Sequence, residues 1–252
     1  MARTPAGKSA KAVKPSPKPA AIKAVGADPV KEMRGARRKR ETRERLVDAA
    51  FRLMAERGVN AVAINEITEA ADVGIGSFYN HFETKEALYA AVLHDVFEDF
   101  ADALDRMLQG IEDPAEIIAI SVRHTLIRAR NEPLWGMLLV REGQSAQVLS
   151  RGLGARLARD IQKGLVSGRF QIPDLLMSVV ALGSAVLGSV ALELQNNKQP
   201  DPMLKKLGLD AKNIPERTAA VILHGLGLTF EQAQKIAQRP LPVIDSLRAV
   251  SK

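Results

Sequence analysis

A chain of 252 residues that is 46% apolar and only 4% aromatic can bury one sizeable core, or a small domain beside a larger one, built mainly from Leu, Val, Ile, Ala and Met. Its lack of cysteine excludes disulfides, thiolate metal sites and cysteine nucleophiles together. The net charge of +7 is uneven, since residues 1–45 carry 14 Lys and Arg against Asp28, Glu32, Glu41 and Glu44 while the remainder is net acidic, so a polyanion bound at one end is the expected partner.

The first 40 residues repeat Lys, Ala and Pro with little that could form a core, and are expected to be a disordered basic tail. No apolar run follows Met1, so no secretory signal is expected and the cytoplasm is the default location. From Thr42 to Arg57 the period turns helical, with Leu46, Ala49, Ala50, Leu53 and Met54 on one face and Gly58 as the stop. AINEITEAADV then places Ile64, Ile67, Ala70 and Ala71 on one face, and after a break at 72–74 comes IGSFYNHF, long enough for two turns. Thr84 reads as the N-cap of a long helix from Lys85 to about Gln109.

Pro114 opens a helix to about Ala129, Pro133 breaks it before the apolar run Trp135 to Leu139, and a further helix spans about Ala146 to Val166. Pro173 opens a helix to about Gln195 that contains 18 residues without a charge, LLMSVVALGSAVLGSVAL. That is near spanning length, but Asp174 and Glu193 at its ends and its interior Ser and Gly favour a buried or subunit-interface helix over a membrane span. A polar loop and two closing helices follow, Pro215 to Leu226 and Phe230 to Gln238, the last with Thr229 and Gln232 in capping-box spacing. With no sustained strand alternation, the expected fold is all-α. Its parts are the tail 1–40, a three-helix head at 41–88, a larger helical body at 89–240 and a C-terminal tail at 241–252.

The stretch GIGSFYNHFETKEAL, residues 74–88, concentrates aromatics in an aromatic-poor chain. Phe78 and Phe82, four apart, read as core in any account. A helix, a tight turn and a second short helix describe a helix-turn-helix head, which places its second helix in a DNA major groove while flanking groups neutralise phosphates. The run VAINEITEAADVGIGSFYNHFETKEAL from Val62 resembles the DNA-binding signature of the tetracycline-repressor (TetR) family of transcriptional regulators. The resemblance implies phosphate contacts from Ser77, Tyr79 and Lys85, close backbone approach at Gly76, and a backbone-contacting or bracing role for His81. Ile75, Ser77 and Asn80 are candidates to face bases. Relative to the family pattern, Ala63, Asp72 and Gly74 stand where Thr or Ser, Gly, and Ser are common. Ala63 cannot accept a capping hydrogen bond, Asn65 is a candidate to replace it one turn later, and Gly74 is a weaker cap. Arg37, Arg38, Lys39 and Arg40 are either an arm lying in or over the neighbouring minor groove or a solubilising tail.

By resemblance the body would bind a small-molecule effector and dimerise through its last two long helices. Gly183, Ser184, Gly188 and Ser189 would let a helix of a second copy approach closely. Phe97, Phe100, Arg123, Trp135, Met137 and Leu138 are candidate pocket lining, with ordinary core packing as the alternative. No histidine spacing suits a metal, and no phosphate-binding glycine loop or nucleophile elbow is present. Neither an enzyme nor a cofactor is expected. The function read from the sequence is a ligand-responsive dimeric regulator, more a repressor than an activator, on a partly palindromic double-stranded operator. The alternative is an architectural protein that coats DNA through its basic tail.

Overall fold

The computed structural model describes residues 29–145, 151–198, 202–206 and 211–243, and among them there is no strand. The first helix, α1, runs Pro29–Arg57, thirteen residues longer at its start than the apolar periodicity indicates. Expected disorder at 29–40 is thus corrected to helix, and residues 1–28 lie outside the described residues. Arg, Lys and Glu are good helix formers, and the Arg40 to Glu44 pair lies at i,i+4 spacing, so the cationic run propagates the helix that the apolar stripe begins. By its contacts the chain divides between Lys39 and Arg40.

After a 3-10 turn at Val59–Ala61 come α2 (Ile64–Ala70) and α3 (Ile75–Tyr79). Leu46, Ala50 and Met54 of α1, Ile67 of α2, Phe78 of α3 and Leu88 beyond them are fully buried in one core. The α2–α3 connection is a Schellman turn: Val73 N–H donates to Thr68 O and Asp72 N–H to Glu69 O, each at 3.0 Å. Asp72 takes the left-handed position with φ +52, which a short polar side chain tolerates at greater cost than glycine.

The long helix expected from Lys85 is present but divided. It consists of α4 (Lys85–Leu93), a π turn at His94–Glu98, and α5 (Asp99–Met107). Thr84 caps it as the sequence indicates, its hydroxyl accepting from Ala87 N–H at 3.1 Å. Helix α4 runs through residue 88, the expected end of the head. The body continues with α6 (Pro114–Asn131), α7 (Pro133–Glu142), α8 (Gly152–Val166), α9 (Leu175–Lys198), α10 (Pro202–Lys206), α11 (Ile214–Gly225) and α12 (Phe230–Ala237). The start proposed for α8 at Ala146 lies outside the described residues. Part of the expected polar loop is the short α10.

Helix α6 is the centre of the body, packed by α7, α8, α9, α11 and α12. Its polar residues are satisfied rather than excluded. Arg123, 7% exposed, binds Glu216 at 3.0 Å and the Arg239 carbonyl at 2.6 Å, and His124 Nε2 lies 3.0 Å from Pro242 O. The segment after α12 is therefore fastened to α6 as far as Pro242, while residues 244–252 lie outside the described residues. Burial pushes the His124 imidazole below its usual range, and its Nε2–H donates to the Pro242 carbonyl.

Candidate DNA-binding face and effector cavity

One face of the head is apolar and closed; the other is open. Phe78 is fully buried, edge-on to Tyr79 at 5.2 Å and tilted against Phe82 at 6.0 Å. Around that anchor the remaining residues of α3 point out: Ile75 is 46% and Tyr79 57% exposed, Gly74, Gly76 and Asn80 are exposed, and Ser77 and His81 are half-buried. At the start of α2, its N-cap Ala63 and Asn65 are exposed as well. The residues of 63–81 expected to meet DNA are thus exposed or half-buried, while Phe78 and Phe82 are buried in the head's core.

Three details sharpen the reading. Ala63 offers no side-chain oxygen to cap α2, but Glu66 reaches back to accept from Ala63 N–H at 2.8 Å and from Arg57 at 2.8 Å. The Arg57 guanidinium and then the Ala63 amide hold the Glu66 carboxyl below its ordinary value, so half of a capping box survives without its hydroxyl. Lys85 donates to Val59 O and Val62 O, both at 3.0 Å, tying the 3-10 turn to α4. An ammonium has three N–H groups, which leaves one for the phosphate contact expected of it. Arg37, Arg38, Lys39 and Arg40 are exposed on a helix. A helix about 10 Å across does not enter a minor groove about 6 Å wide, so in this helical form the run does not fit the expected insertion into the groove.

Gly76 separates folding from docking. A Cβ at this position would meet nothing within 4 Å in the chain itself. Gly76→Ala should therefore stabilise α3 by about 0.5–1 kcal/mol through helix propensity while weakening DNA binding. A denaturation midpoint that rises as operator affinity falls is the expected pair of measurements.

The six residues expected to line a pocket are elsewhere. Phe97, Phe100, Trp135 and Leu138 are buried core. Trp135 is T-stacked on Phe97 and Phe100 at 5.8 and 5.2 Å, and its indole N–H donates to Val96 O at 3.1 Å. Arg128 lies over the Phe100 and Trp135 rings at 4.7 and 4.8 Å. Arg123 is spent on Glu216 and the chain beyond α12, and Met137 is half-buried on α7. Side-chain type suggested a pocket wall, but these side chains fill the space they enclose.

A cavity of about 330 Å³ lies instead among α5, α6, α7, α8 and α9. Much of its wall is aliphatic, including Leu104, Ile118, Leu139, Leu157, Val179 and Leu187. One side carries four charges: Asp105 of α5 with Arg156, Arg159 and Asp160 of α8. Arg156 Nε is 2.7 Å from Asp105 Oδ2, Arg159 Nη2 is 2.8 Å from Asp105 Oδ1, and Arg159 Nε is 2.8 Å from Asp160 Oδ1. Asp160 is 4% exposed. Burial pushes the Asp105 carboxyl up, but Arg159 and Arg156 outweigh it and hold the group below its ordinary value. The spacing Arg156, Arg159, Asp160 on the face that also carries Leu153 and Leu157 was the sequence signal for this wall: charges at i, i+3, i+4 inside an apolar stripe.

Residues 46–92 match the family described as "Bacterial regulatory proteins, tetR family", and residues 113–239 match "Tetracyclin repressor-like, C-terminal domain". The transcriptional repressor DhaR of Mycobacterium sp. strain GP1 is 40% identical over 72 residues, 29% of this chain and 36% of that protein. The repressor KstR2 of Rhodococcus jostii strain RHA1 is 33% identical over 79 residues, 31% of this chain and 39% of that one. The chain spans less than half the length of these curated relatives. Over nearly the whole fold, the crystal structure of RolR in complex with resorcinol superposes with a TM-score of 0.60 and 37% identity, covering 83% of this chain and 99% of that one. The amino-terminal and carboxy-terminal matches together take in the head and most of the body, and the chain belongs to the TetR family of transcriptional regulators.

Proposed function

We propose that the protein is a dimeric, effector-responsive repressor in the cytoplasm that binds a partly palindromic operator and is released by a small aromatic molecule carrying hydroxyl groups. The observation that carries the DNA-binding part is the division of one short helix, with Phe78 fully buried while Ile75 and Tyr79 stand 46% and 57% exposed beside Gly76.

The effector class rests on the cavity. The two guanidiniums of the wall already pair with its two carboxylates, and Arg156 also holds Glu98 and Asp102, so an anionic ligand would have to displace a carboxylate. A neutral hydroxyl both donates to a carboxylate and accepts from a guanidinium, and aliphatic walls suit a ring. RolR holding resorcinol is in keeping with that chemistry.

The dimer rests on α9. This helix is long and apolar enough to cross a membrane by length and composition, and only 11% of its apolar window is buried. Its Glu193, however, is buried and paired with Arg130 at 2.9 and 2.5 Å, and Ser189 accepts from Thr218 of α11 at 2.9 Å. A buried, paired carboxylate at the end of the apolar stretch ties α9 to α6 of the same chain, whereas the exposed Gly188 suits the close approach of another helix. Two helices from each copy would form a four-helix interface.

Footprinting on the DNA upstream of the protein's own gene, with and without resorcinol, tests the proposal. A bounded protected site that resorcinol removes in the wild type, and not in Asp160→Asn, is the expected result. Uniform retardation of any DNA would instead support the architectural reading, and a site indifferent to resorcinol would dismiss the effector class.

A further inference from the structure

The five residues His94–Glu98 form a π turn inside an otherwise α-helical rod, and they are held from both ends by arginines of different parts of the molecule. At the cavity end, Arg156, which lines the cavity, donates to Glu98 Oε2 at 2.8 Å and to Asp102 as well as to Asp105. The other Glu98 oxygen accepts from Gly152 N–H at 2.6 Å. Burial pushes the Glu98 carboxyl up, but Arg156 and the Gly152 amide hold it below its ordinary value. At the head end, Arg43 of α1 donates to Asp95 Oδ2 at 3.1 Å and lies over the Phe82 ring at 5.5 Å. Between the two, Val96 O accepts from Trp135 and Phe97 packs on the same indole.

A π turn is rarer than α because its backbone geometry is less favourable, and it persists where surrounding contacts impose it. Here the imposing contacts belong to the cavity wall and to the head. We propose that the π turn His94–Glu98 is the switch between cavity and head: Arg156 on Glu98 holds it wide, and a ligand that takes Arg156 and Asp105 releases it. This rests on the reading of the cavity as an effector site.

The consequence for the head is geometric. Each residue of an α-helix adds about 1.5 Å and a turn of roughly 100°, so relaxing a wide turn toward α pitch shifts and rotates α4 against α5. The head travels with α4, because Thr84 caps that helix and Lys85 grips the carbonyls of Val59 and Val62. A cavity hydroxyl that draws Arg156 from Glu98 would thus move the reading helix without touching it.

Glu98→Gln keeps the side-chain volume and the oxygen that Gly152 uses, and removes the charge facing Arg156. Trp135 is the one tryptophan in the sequence and sits on the π turn, so its emission reports the switch, alongside hydrogen exchange of amides 94–102. In the wild type, resorcinol should shift the emission and speed that exchange. Ligand-free Glu98→Gln should show both changes, with exchange about tenfold faster in that segment and unchanged in α11, and should hold the footprinted fragment about tenfold more weakly. In Arg43→Gln, resorcinol should still shift the emission at wild-type concentrations while release from DNA is blunted. Glu98→Gln with wild-type emission, exchange and operator affinity overturns the switch, as does full wild-type release in Arg43→Gln. If resorcinol leaves the wild type unchanged while Glu98→Gln shows the shifted emission, the switch stands and the effector class falls.

Discussion

Phe78→Ala abolishes operator binding while most of the helical signal of the protein persists. Phe78 is among the largest side chains with no exposed surface, and it carries α3 on a stack with Tyr79 and Phe82. Removing a buried phenyl ring costs about 3–5 kcal/mol, the transfer of the lost atoms plus the cavity left behind. That loss falls on a helix of five residues, far too short to hold its own shape. Ile75, Ser77 and Asn80 then lose their common orientation together. Tyr79→Phe is the companion experiment: it keeps the ring stack and removes only an exposed hydroxyl. Its stability should stay within about 0.5 kcal/mol of wild type, while operator affinity falls by the value of one phosphate hydrogen bond, about 1 kcal/mol or roughly fivefold. Urea denaturation and fluorescence anisotropy on the same preparations separate the two effects. Equal operator affinity for Tyr79→Phe and wild type would place Tyr79 in packing alone.

The head was legible because its information is local. Turn residues, caps and a two-turn aromatic pair lie within about 30 residues of chain, and each acts on its near neighbours: Thr84 on Ala87, Asp72 on the turn after α2, Phe78 on Phe82. Two features escaped because they are decided at a distance. Phe97, Phe100 and Trp135 have the composition of a pocket wall, and only the arrival of α7 against the π turn makes them solid core. The π turn has no composition of its own, since HDVFE sits in helical register on either side. The contacts that meet the turn come from Arg43, Trp135 and Arg156, which are 52, 39 and 58 residues away from their partners. The start of α1 escaped for another reason. Its cationic residues mark no buried face, and hydrophobic periodicity sees only the half of a helix that faces a core.

Val221→Glu converts the protein to a monomer and lowers operator affinity by at least about 100-fold, through loss of the second half-site. Val221 is 65% exposed on α11, a helix buried at Ala219 and Leu223 on its opposite side and at Thr218 and Ile222 beside it. A charge at an exposed position should alter the stability of the isolated subunit by no more than about 0.5 kcal/mol. In a twofold dimer each substitution appears twice, so two carboxylates would be brought into one interface. One head alone keeps every contact to its own half-site, but two heads must span a distance of roughly 34 Å set by the operator, and the interface is what fixes that distance. Sedimentation at micromolar concentration with circular dichroism on the same sample should show a folded monomer. If Val221→Glu remains dimeric, the interface lies along α9 without α11, and Met177→Glu, at a position 58% exposed on α9, should then produce the monomer instead. Retention of the dimer by both variants would remove α9 from the interface and leave its apolar face to another partner.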